Sequence, residues 1–298
     1  MKVLVTGAQG QLGKDVVRIF TDSKHDVLGY GRSELDITDL VQCHKIIKEN
    51  KPDCIINCAA YTAVDDAESD MDLAYRINAV GTRNLATAAE SSGSKLIYIS
   101  TDYVFNGQGK MPYVEYDQTD PQSVYGKSKL AGEILAQTLC SKWFIVRTSW
   151  MFGLQGNNFV KTMISLGQEK PLLKVVNDQK GSPTFTTDLA NFLLELALTD
   201  KFGIYHASNQ GTCTWYEFTQ AIFEEYQEIL GLPMKAEIYP CKTNEFPRPA
   251  PRPTNSVLDH MSIRTNNLTD LPHWRDALKR FMLGIKEGSY STNLNLCD

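Results

Sequence analysis

The sequence lacks several features that would point to nucleic-acid or membrane binding. It carries 30 Lys and Arg against 35 Asp and Glu, for a net charge of −5, and so has no basic excess. Nucleic-acid-binding proteins usually show a basic patch, so no nucleic-acid partner is expected. No apolar run approaches the ~20 residues of a membrane-spanning helix, and Met1 leads into a strand-like segment without the regions of a signal peptide. We therefore expect no membrane association and a cytoplasmic location.

Disulfide and metal-site patterns are also missing. The seven cysteines form no Cys-x-x-Cys pair, and the five histidines show no metal-ligand spacing. Scattered cysteines in odd number are typical of reduced thiols in an intracellular protein. The sequence predicts no metal.

Short apolar runs alternate with helix-patterned stretches, which predicts parallel strands covered by helices on both faces. The predicted strands are 2–6, 26–30, 54–58, 95–100 and 143–147. The predicted helices lie near 11–20, 38–50, 67–91 and 123–141. After residue 150 the pattern loosens, although strands at 172–176 and 203–207 and helices near 156–168 and 186–199 return to it.

Six of the twelve prolines lie between 233 and 253, which excludes regular helix or central strand there. We predict an α/β protein with a Rossmann-type doubly wound parallel sheet and a smaller, discontinuous C-terminal substrate lobe. The dinucleotide-binding part is expected at 1–148, with returning segments near 172–210, and the lobe at 149–171 and 211–298. The polar C-terminal end, "EGSYSTNLNLCD", is expected to fray.

Three glycines follow the first predicted strand in "VTGAQGQLG", namely Gly7, Gly10 and Gly13. Glycines let the backbone approach a pyrophosphate, and the helix that begins here offers free N–H groups. The position after the first strand of an α/β unit favours a dinucleotide site, which would also include Gln11 and Leu12. A plain turn is the alternative.

The end of the second predicted strand bears on cofactor choice. NAD-preferring sites place an acid there to bind the ribose 2′-OH, but this sequence has Arg32 in "GYGRSELDI". A guanidinium suits a 2′-phosphate, so NADPH is expected, with NADH possible; a solvated turn residue is the alternative for Arg32. Asp36 and Ile37 could flank the adenine.

The third predicted strand ends in "NCAAYT". The small residues Ala59 and Ala60 permit close approach of a cofactor, and Tyr61 could pack against the nicotinamide. A turn with small side chains chosen for packing is the alternative.

A hydroxyl, a phenol and an amine follow in the right order for carbonyl chemistry. Thr101 ends the fourth strand, while Tyr125 and Lys129 are four residues apart on one helix face. We expect the ammonium to lower the pKa of the phenol from its usual value of about 10. Together the three could protonate a carbonyl oxygen while a nicotinamide delivers hydride to its carbon. Taken alone, Tyr-x-x-x-Lys is common on ordinary helices.

Motifs over roughly residues 2–258 resemble the extended short-chain dehydrogenase/reductase family and, within it, the dTDP-4-dehydrorhamnose reductase family. Those motifs include "GAQGQLG", "NCAAYTAVDDAE", "STDYVFNG", "YGKSKLAGE", "RTSWMFG", "NNFVKTM", "VVNDQKGSPT" and "RPAPRPTNSVL". The resemblance implies NAD(P)H-dependent reduction of the C4 ketone of dTDP-6-deoxy-L-lyxo-4-hexulose to dTDP-L-rhamnose, with Tyr125 as proton donor. Related dehydratases carry Asp-Glu after the Thr, whereas Asp102 is followed here by Tyr103, which favours a reductase.

Two other functions stay open at this point. One is a reductase of a related nucleotide 4-keto sugar. The other is a non-catalytic NADP-binding regulatory subunit of the methionine adenosyltransferase β-subunit type, because that class shares the implied fold.

The resemblance also implies a substrate side. Thr148 would lie near the nicotinamide, and Trp150 could pack on the sugar or wall the nicotinamide, with a core Trp as the alternative. Arg252 is expected to bind phosphate in preference to Arg248, and a surface role is the alternative for either arginine. The expected substrate contacts are Thr101, Asp102, Tyr103, Val104, Phe105, Trp150, Asn158, Phe159 and Arg252.

The oligomeric state is left as monomer or homodimer. Some members of the family dimerise through a magnesium ion held by acidic residues, and Asp15 and Asp188 occupy plausible positions. Both are shorter than the Glu of that pattern, and no third ligand is evident. Carboxylates on solvated helix faces are therefore the preferred interpretation.

Overall fold

The computed structural model describes residues 1–288, so the predicted fraying of the C-terminal end falls mostly outside the described residues. The strands are β1 (Lys2–Thr6), β2 (Asp26–Tyr30), β3 (Cys54–Asn57), β4 (Lys95–Thr101), β5 (Trp143–Thr148), β6 (Met151–Phe152), β7 (Leu172–Val176), β8 (Lys180–Gly181), β9 (Thr184–Phe185), β10 (Gly203–His206), β11 (Cys213–Thr214) and β12 (Glu237–Cys241). The helices are α1 (Gln11–Asp22), α2 (Leu40–Asn50), α3 (Met71–Tyr75), α4 (Thr82–Ser92), α5 (Val124–Leu139), α6 (Phe159–Glu169), α7 (Thr186–Ala197), α8 (Trp215–Leu230), α9 (Met261–Thr265) and α10 (Trp274–Lys286).

Six strands form one parallel sheet in the order β10-β5-β4-β3-β1-β2. The chain leaves β1 toward β2 and then returns to place β3 on the other side of β1. This reversal is a topological switch point, and open α/β sheets bind ligands outside the carboxyl ends of the strands at such a point. The predicted doubly wound parallel sheet is confirmed.

Both faces of the sheet are covered, and alternate residues of each strand serve the two faces. In β1, Val3 and Val5 pack in the core beneath α1 and α7, whereas Leu4 packs beneath α2, α4 and α5. All three side chains are fully buried, which stabilises the fold by about 1.5–3 kcal/mol per side chain.

The helix predicted near 67–91 is interrupted. A short 3₁₀ turn at Asp66–Glu68 precedes α3, and a π-helical turn at Arg76–Gly81 joins α3 to α4. The wider turn places Asn78 inside, where its amide donates to the Ser128 hydroxyl of α5 at 2.9 Å. Apolar periodicity alone does not reveal such a turn, which is frequent at functional sites.

The C-terminal lobe is built from small strand pairs and three helices. Strand β7, predicted to return to the central sheet, instead pairs in parallel with β12, so that prediction is wrong. Strand β10, predicted over 203–207, does join the sheet beside β5. The two runs look alike in sequence because both are short and apolar, and only long-range pairing distinguishes them. Helices α6, α8 and α10 enclose the core of the lobe.

Across residues 1–288, the structure shows no helix that combines the length and apolar character needed to cross a membrane.

Candidate active site

A cavity of about 1080 Å³ opens between the carboxyl ends of the sheet strands and the lobe. It brings together the predicted glycine turn, the hydroxyl–phenol–amine group and much of the predicted substrate side. Its walls include these predicted residues: Gly10, Gln11, Leu12, Gly13, Ala60, Thr101, Asp102, Tyr103, Tyr125, Lys129, Thr148, Trp150, Phe159 and Arg252.

The glycine turn is shaped for close approach of backbone to a ligand. Gly7 has φ +63°, and a Cβ at this position would lie 2.7 Å from the Ala59 nitrogen. The Gly10 N–H donates to the Gly7 carbonyl at 2.9 Å, and a Cβ on Gly13 would collide with that same carbonyl. No side chain of the described residues caps the first turn of α1. The turn therefore fits a pyrophosphate, which needs bare backbone N–H groups at a helix N-terminus.

The end of β3 supports this turn from the side. The Asn57 side chain accepts from the Thr6 hydroxyl at 2.8 Å and from the Ala59 N–H at 3.2 Å. Ala60 faces the cavity, while Ala59 packs against Gly7. Tyr61 packs beside Tyr125 in a small apolar cluster and is absent from the described walls of the cavity. Its predicted packing against a nicotinamide has no support in this position.

Lys129 is held in place before any ligand arrives. It is 2% exposed, its Nζ donates to the Ile99 carbonyl at 2.6 Å, and it lies 4.1 Å from the centre of the Tyr98 ring. Burial lowers the pKa of Lys129 to about 7, and the nearby Glu133 carboxylate opposes this shift.

Tyr125 behaves differently from the prediction. Burial raises the pKa of Tyr125 to about 12, the neighbouring Thr101 hydroxyl opposes the rise, and Asp102 adds to it. The prediction that the Lys129 ammonium lowers this pKa is wrong, because burial raises it. The phenol is protonated at neutral pH, which is the state that a proton donor requires.

Two buried oxygen atoms in the cavity lack partners. Asp102 accepts from the Thr101 hydroxyl through Oδ1 at 2.9 Å. The Ser256 hydroxyl lies near enough to favour the carboxylate but donates to the Lys180 carbonyl, so Oδ2 of Asp102 has no hydrogen bond within residues 1–288. The Thr148 Oγ1 is likewise unpaired among those residues. Buried polar atoms normally have partners, so both are suited to the hydroxyl groups or amides of a ligand.

Burial raises the pKa of Asp102 to about 6, with the hydrogen bond from Thr101 opposing the shift. The carboxylate form therefore predominates above about pH 6, and this group can accept a hydrogen bond from a sugar hydroxyl at pH 7.

A buried ion pair behind the site was missed from the sequence. Arg147 of β5 binds Glu133 of α5 through two bonds of 2.7 and 2.9 Å, and the Ser100 hydroxyl donates to the same carboxylate at 2.5 Å. The pair fixes the helix that carries Lys129 against the carboxyl ends of β4 and β5. An arginine within the apolar run "WFIVR" was the available signal, because buried charges need partners.

Trp150 and Phe159 both face the cavity, as predicted. Asn158 does not. Its side-chain amide donates to Gln11 at 3.0 Å and to the Gly153 carbonyl at 2.7 Å, while its oxygen caps α6 by accepting from the Lys161 N–H. The side chain is therefore occupied in joining the lobe to α1, and the expected substrate contact at Asn158 and Phe159, through backbone N–H groups at the start of α6 that could meet a diphosphate, stays a prediction.

Val104 and Phe105, which stand in the "STDYVFNG" motif, were predicted to touch substrate. Val104 is fully buried in the core, and Phe105 stacks on Tyr113 with ring centres 4.3 Å apart. Neither belongs to the described walls of the main cavity, although Phe105 borders a smaller cleft beside it. The 3₁₀ turn at Asp102–Val104 rotates successive side chains away from one another, so a contiguous motif does not share one face.

Arg248 and Arg252 both line the cavity. Arg252 is tied to Asp65 by an ion pair of 2.8 Å and donates to the Ala250 carbonyl at 3.1 Å. Arg248 lies over the Phe246 ring at 4.6 Å. The proline-rich segment thus presents two guanidinium groups to the cavity, a suitable arrangement for a diphosphate.

The residues predicted for the adenosine end lie at the carboxyl end of β2. Arg32 is exposed, Ile37 is buried in the core, and the Asp36 carboxylate accepts two hydrogen bonds from Thr38 at 2.8 and 2.9 Å. The backbone bond lowers the pKa of Asp36. None of the three belongs to the described walls of the cavity. Glu34, overlooked in the sequence, accepts from the Gly31 N–H at 2.8 Å.

The two acids considered for a metal bridge are buried, so the interpretation as solvated carboxylates is wrong. Asp15 accepts from Thr186 at 2.5 Å, and Asp188 is bound by Arg280 at 2.7 and 2.8 Å. In the described part of the chain, no group of three His, Cys, Asp or Glu side chains is arranged to hold a metal ion.

Comparison with known proteins assigns the chain to a family. Residues 1–286 match the family model described as "RmlD substrate binding domain". A dTDP-4-dehydrorhamnose reductase of Aggregatibacter actinomycetemcomitans is 43% identical, with 93% of this chain and 97% of that protein covered. This chain belongs to the dTDP-4-dehydrorhamnose reductase family. The resemblance drawn from the sequence is therefore confirmed.

Two further members or relatives are informative. One is a dTDP-4-dehydrorhamnose reductase from Bacillus anthracis, whose crystal structure is in complex with NADP. Its sequence is 45% identical to this chain, and the two structures align with a TM-score of 0.91 over 95% of this chain and 98% of that one. A "probable dTDP-4,6-dihydroxy-2-methyloxan-3-one 4-ketoreductase" of Streptomyces antibioticus is 39% identical, with 94% of each chain covered. The Rossmann-type fold and the assignment to NAD(P)H-dependent oxidoreductases follow.

Proposed function

We propose that this member of the family reduces the C4 ketone of dTDP-6-deoxy-L-lyxo-4-hexulose to dTDP-L-rhamnose, with NADPH as the preferred cofactor. The proposal is carried by one observation: the bare glycine turn and a protonated, half-buried phenol open into the same cavity. Family relatives named for this reaction, and a relative in complex with NADP, support it.

The cofactor side would bind through backbone. The N–H groups at the first turn of α1 would hold the pyrophosphate, and Arg32 would pair with the 2′-phosphate of the ribose. When bound, NADPH supplies the hydride that the ketone carbon receives. Lys129 borders this part of the cavity and is placed to donate to polar groups of the cofactor.

The proton would come from Tyr125. Its phenol holds the proton at neutral pH and would pass it to the ketone oxygen, which the Thr101 hydroxyl would hold by a hydrogen bond in place of its bond to Asp102. The phenolate left behind is costly in a buried site, and the Lys129 ammonium would stabilise it. A positioned general acid contributes about 10²–10⁴-fold to such a step.

The substrate side would bind through side chains. Arg252 and Arg248 would pair with the diphosphate, and the unpaired oxygen atoms of Asp102 and Thr148 would meet polar groups of the ligands. Trp150 would form a wall for the sugar. Six described cysteines are free thiols, which supports the proposed cytoplasmic setting, where thiols stay reduced.

The test is oxidation of NADPH, followed by its absorbance, in the presence of dTDP-6-deoxy-L-lyxo-4-hexulose. The proposal requires turnover that depends on both compounds and forms dTDP-L-rhamnose. A folded protein that binds NADPH without any turnover would instead favour the non-catalytic NADP-binding subunit.

The relative named as a different 4-ketoreductase favours a second candidate, a reductase of a related nucleotide 4-keto sugar. A panel of nucleotide 4-keto sugars that differ in base and in the substituents of the sugar separates the two. The first proposal requires the highest kcat/KM with the dTDP-6-deoxy-L-lyxo compound.

A further inference from the structure

Trp150 is the one cavity residue of the described chain that combines a large side chain with a left-handed backbone. Its φ is +46°, and it lies between β5 and β6. Non-glycine residues avoid this region, and they persist there only when the surroundings enforce it, often at functional sites. The indole that this backbone carries is held by contacts on two sides.

The indole of Trp150 stacks on that of Trp215, with ring centres 3.5 Å apart and planes 10° from parallel. On another side it fills the space beside Gly181. A Cβ at Gly181 would lie 2.5 and 2.7 Å from two carbon atoms of the indole. Since Gly181 does not adopt a left-handed conformation, glycine is needed there for space alone.

Trp215 is itself fixed by the lobe. Its Nε1 donates to Gln179 at 3.2 Å, and the Gln179 amide donates onward to the Thr243 hydroxyl at 3.0 Å. Gln179 is only 7% exposed, and Phe159 packs against Trp215 at 4.4 Å. This chain of contacts holds the indole of Trp150 in its orientation.

We propose that Gly181 and Trp215 are positioning residues that hold the indole of Trp150 as a preformed wall for the sugar ring of the nucleotide substrate. The identity of that sugar rests on the proposed function. A side chain that is already ordered adds affinity without an ordering cost at the moment of binding. Because the contacts lie in the lobe, they act on the sugar and leave the glycine turn untouched.

The decisive variant is Gly181→Ala. The added methyl group would lie too close to the indole and to the Ser256 hydroxyl for both to keep their places, so the Kd for dTDP-L-rhamnose rises by roughly tenfold. The Kd values for dTDP, which has no sugar, and for NADP⁺ stay unchanged, and KM for the keto sugar rises more than kcat falls. Isothermal titration calorimetry gives the three Kd values. If Gly181 had only a structural role, the Gly181→Ala variant would bind both dTDP and dTDP-L-rhamnose more weakly.

A second variant covers the case in which Gly181→Ala fails to fold. Trp215→Phe keeps an aromatic ring but loses the hydrogen bond to Gln179. It should also weaken the binding of dTDP-L-rhamnose without weakening the binding of dTDP. Trp143→Phe is the matched control, because Trp143 begins β5 at the end of the sheet away from the cavity. Unchanged binding of dTDP-L-rhamnose by Gly181→Ala or Trp215→Phe overturns the proposal.

Failure of this proposal is distinct from failure of the proposed function. A wild-type protein that does not oxidise NADPH with any 4-keto sugar contradicts the function. A wild-type protein that oxidises NADPH with a 4-keto sugar, while either folded positioning variant binds dTDP-L-rhamnose as tightly as the wild type, contradicts only the role assigned to Gly181 and Trp215.

Discussion

The cofactor side and the substrate side of the cavity differ in which atoms of the protein form them. The cofactor side is mostly backbone, and Gly7, Gly10 and Gly13 lie within one β1–α1 unit. The substrate side is mostly side chains, and Trp150, Trp215 and Arg252 come from three distant parts of the chain. A backbone site is fixed by local conformation, whereas a side-chain site depends on how the whole lobe packs. The proposed reaction takes place where the two meet, at Tyr125 and Lys129.

Tyr125→Phe should have the largest effect on turnover and should leave both the cofactor side and the substrate side of the cavity unchanged. The phenyl ring keeps the packing and loses only the proton, so kcat falls by about 10²–10⁴-fold. The Kd for NADPH, measured by fluorescence titration, should stay within error of the wild-type value. Turnover near the wild-type rate would show that another group supplies the proton.

Gly7→Ala should break the cofactor side. The new methyl group meets the backbone at Ala59 in a left-handed turn, so the free energy of unfolding falls by about 2–4 kcal/mol and NADPH binding weakens. Gly93→Ala is the matched control, because Gly93 has φ +74° but open space around the added methyl. The control should lose only about 1–2 kcal/mol by chemical denaturation and keep its NADPH affinity. Equal losses in the two variants would show that strain, not contact with the backbone at Ala59, makes Gly7 necessary.

The pH dependence of kcat/KM for NADPH should report Lys129. Its ammonium, with a pKa of about 7, is the form that stabilises a phenolate. As pH rises through that value the charge is lost, so kcat/KM should fall on the alkaline side. Lys129→Met should have low activity with no such limb. A wild-type profile that is level from pH 6 to pH 9 would contradict the assigned role.

Arg32→Ala should have the smallest effect, because Arg32 is exposed and acts at the rim of the cofactor side. We expect the Kd for NADPH to rise roughly fivefold and that for NADH to stay the same. Lys48→Ala removes one exposed charge from α2 and controls for net charge. A similar rise in the Kd values for NADPH and NADH would contradict the pairing of Arg32 with the 2′-phosphate.

The sequence predicted the glycine turn and the hydroxyl–phenol–amine group better than the substrate side, for a physical reason. The glycine spacing after β1, the strand-ending Thr101 and the Tyr125–Lys129 pair are local patterns, and all of them line the one cavity except Gly7, which shapes the turn from behind. Motif neighbours such as Val104 were misassigned, because adjacency in sequence does not fix which way a side chain points.

The electrostatics could not be predicted from spacing. The i and i+4 positions of Tyr125 and Lys129 suggested a lowered phenol pKa, but burial reverses the direction. The ion pair between Glu133 and Arg147 and the stack of Trp150 on Trp215 join residues far apart in the chain. Such pairs emerge only from the packed structure.

A crystal structure of the wild-type protein with NADP⁺ and dTDP-L-rhamnose tests the central claim most directly. The proposed proton transfer requires the C4 oxygen of the sugar within about 2.6–3.2 Å of the phenol oxygen of Tyr125. A sugar bound with that oxygen on another wall, out of reach of both Tyr125 and Thr101, would contradict it.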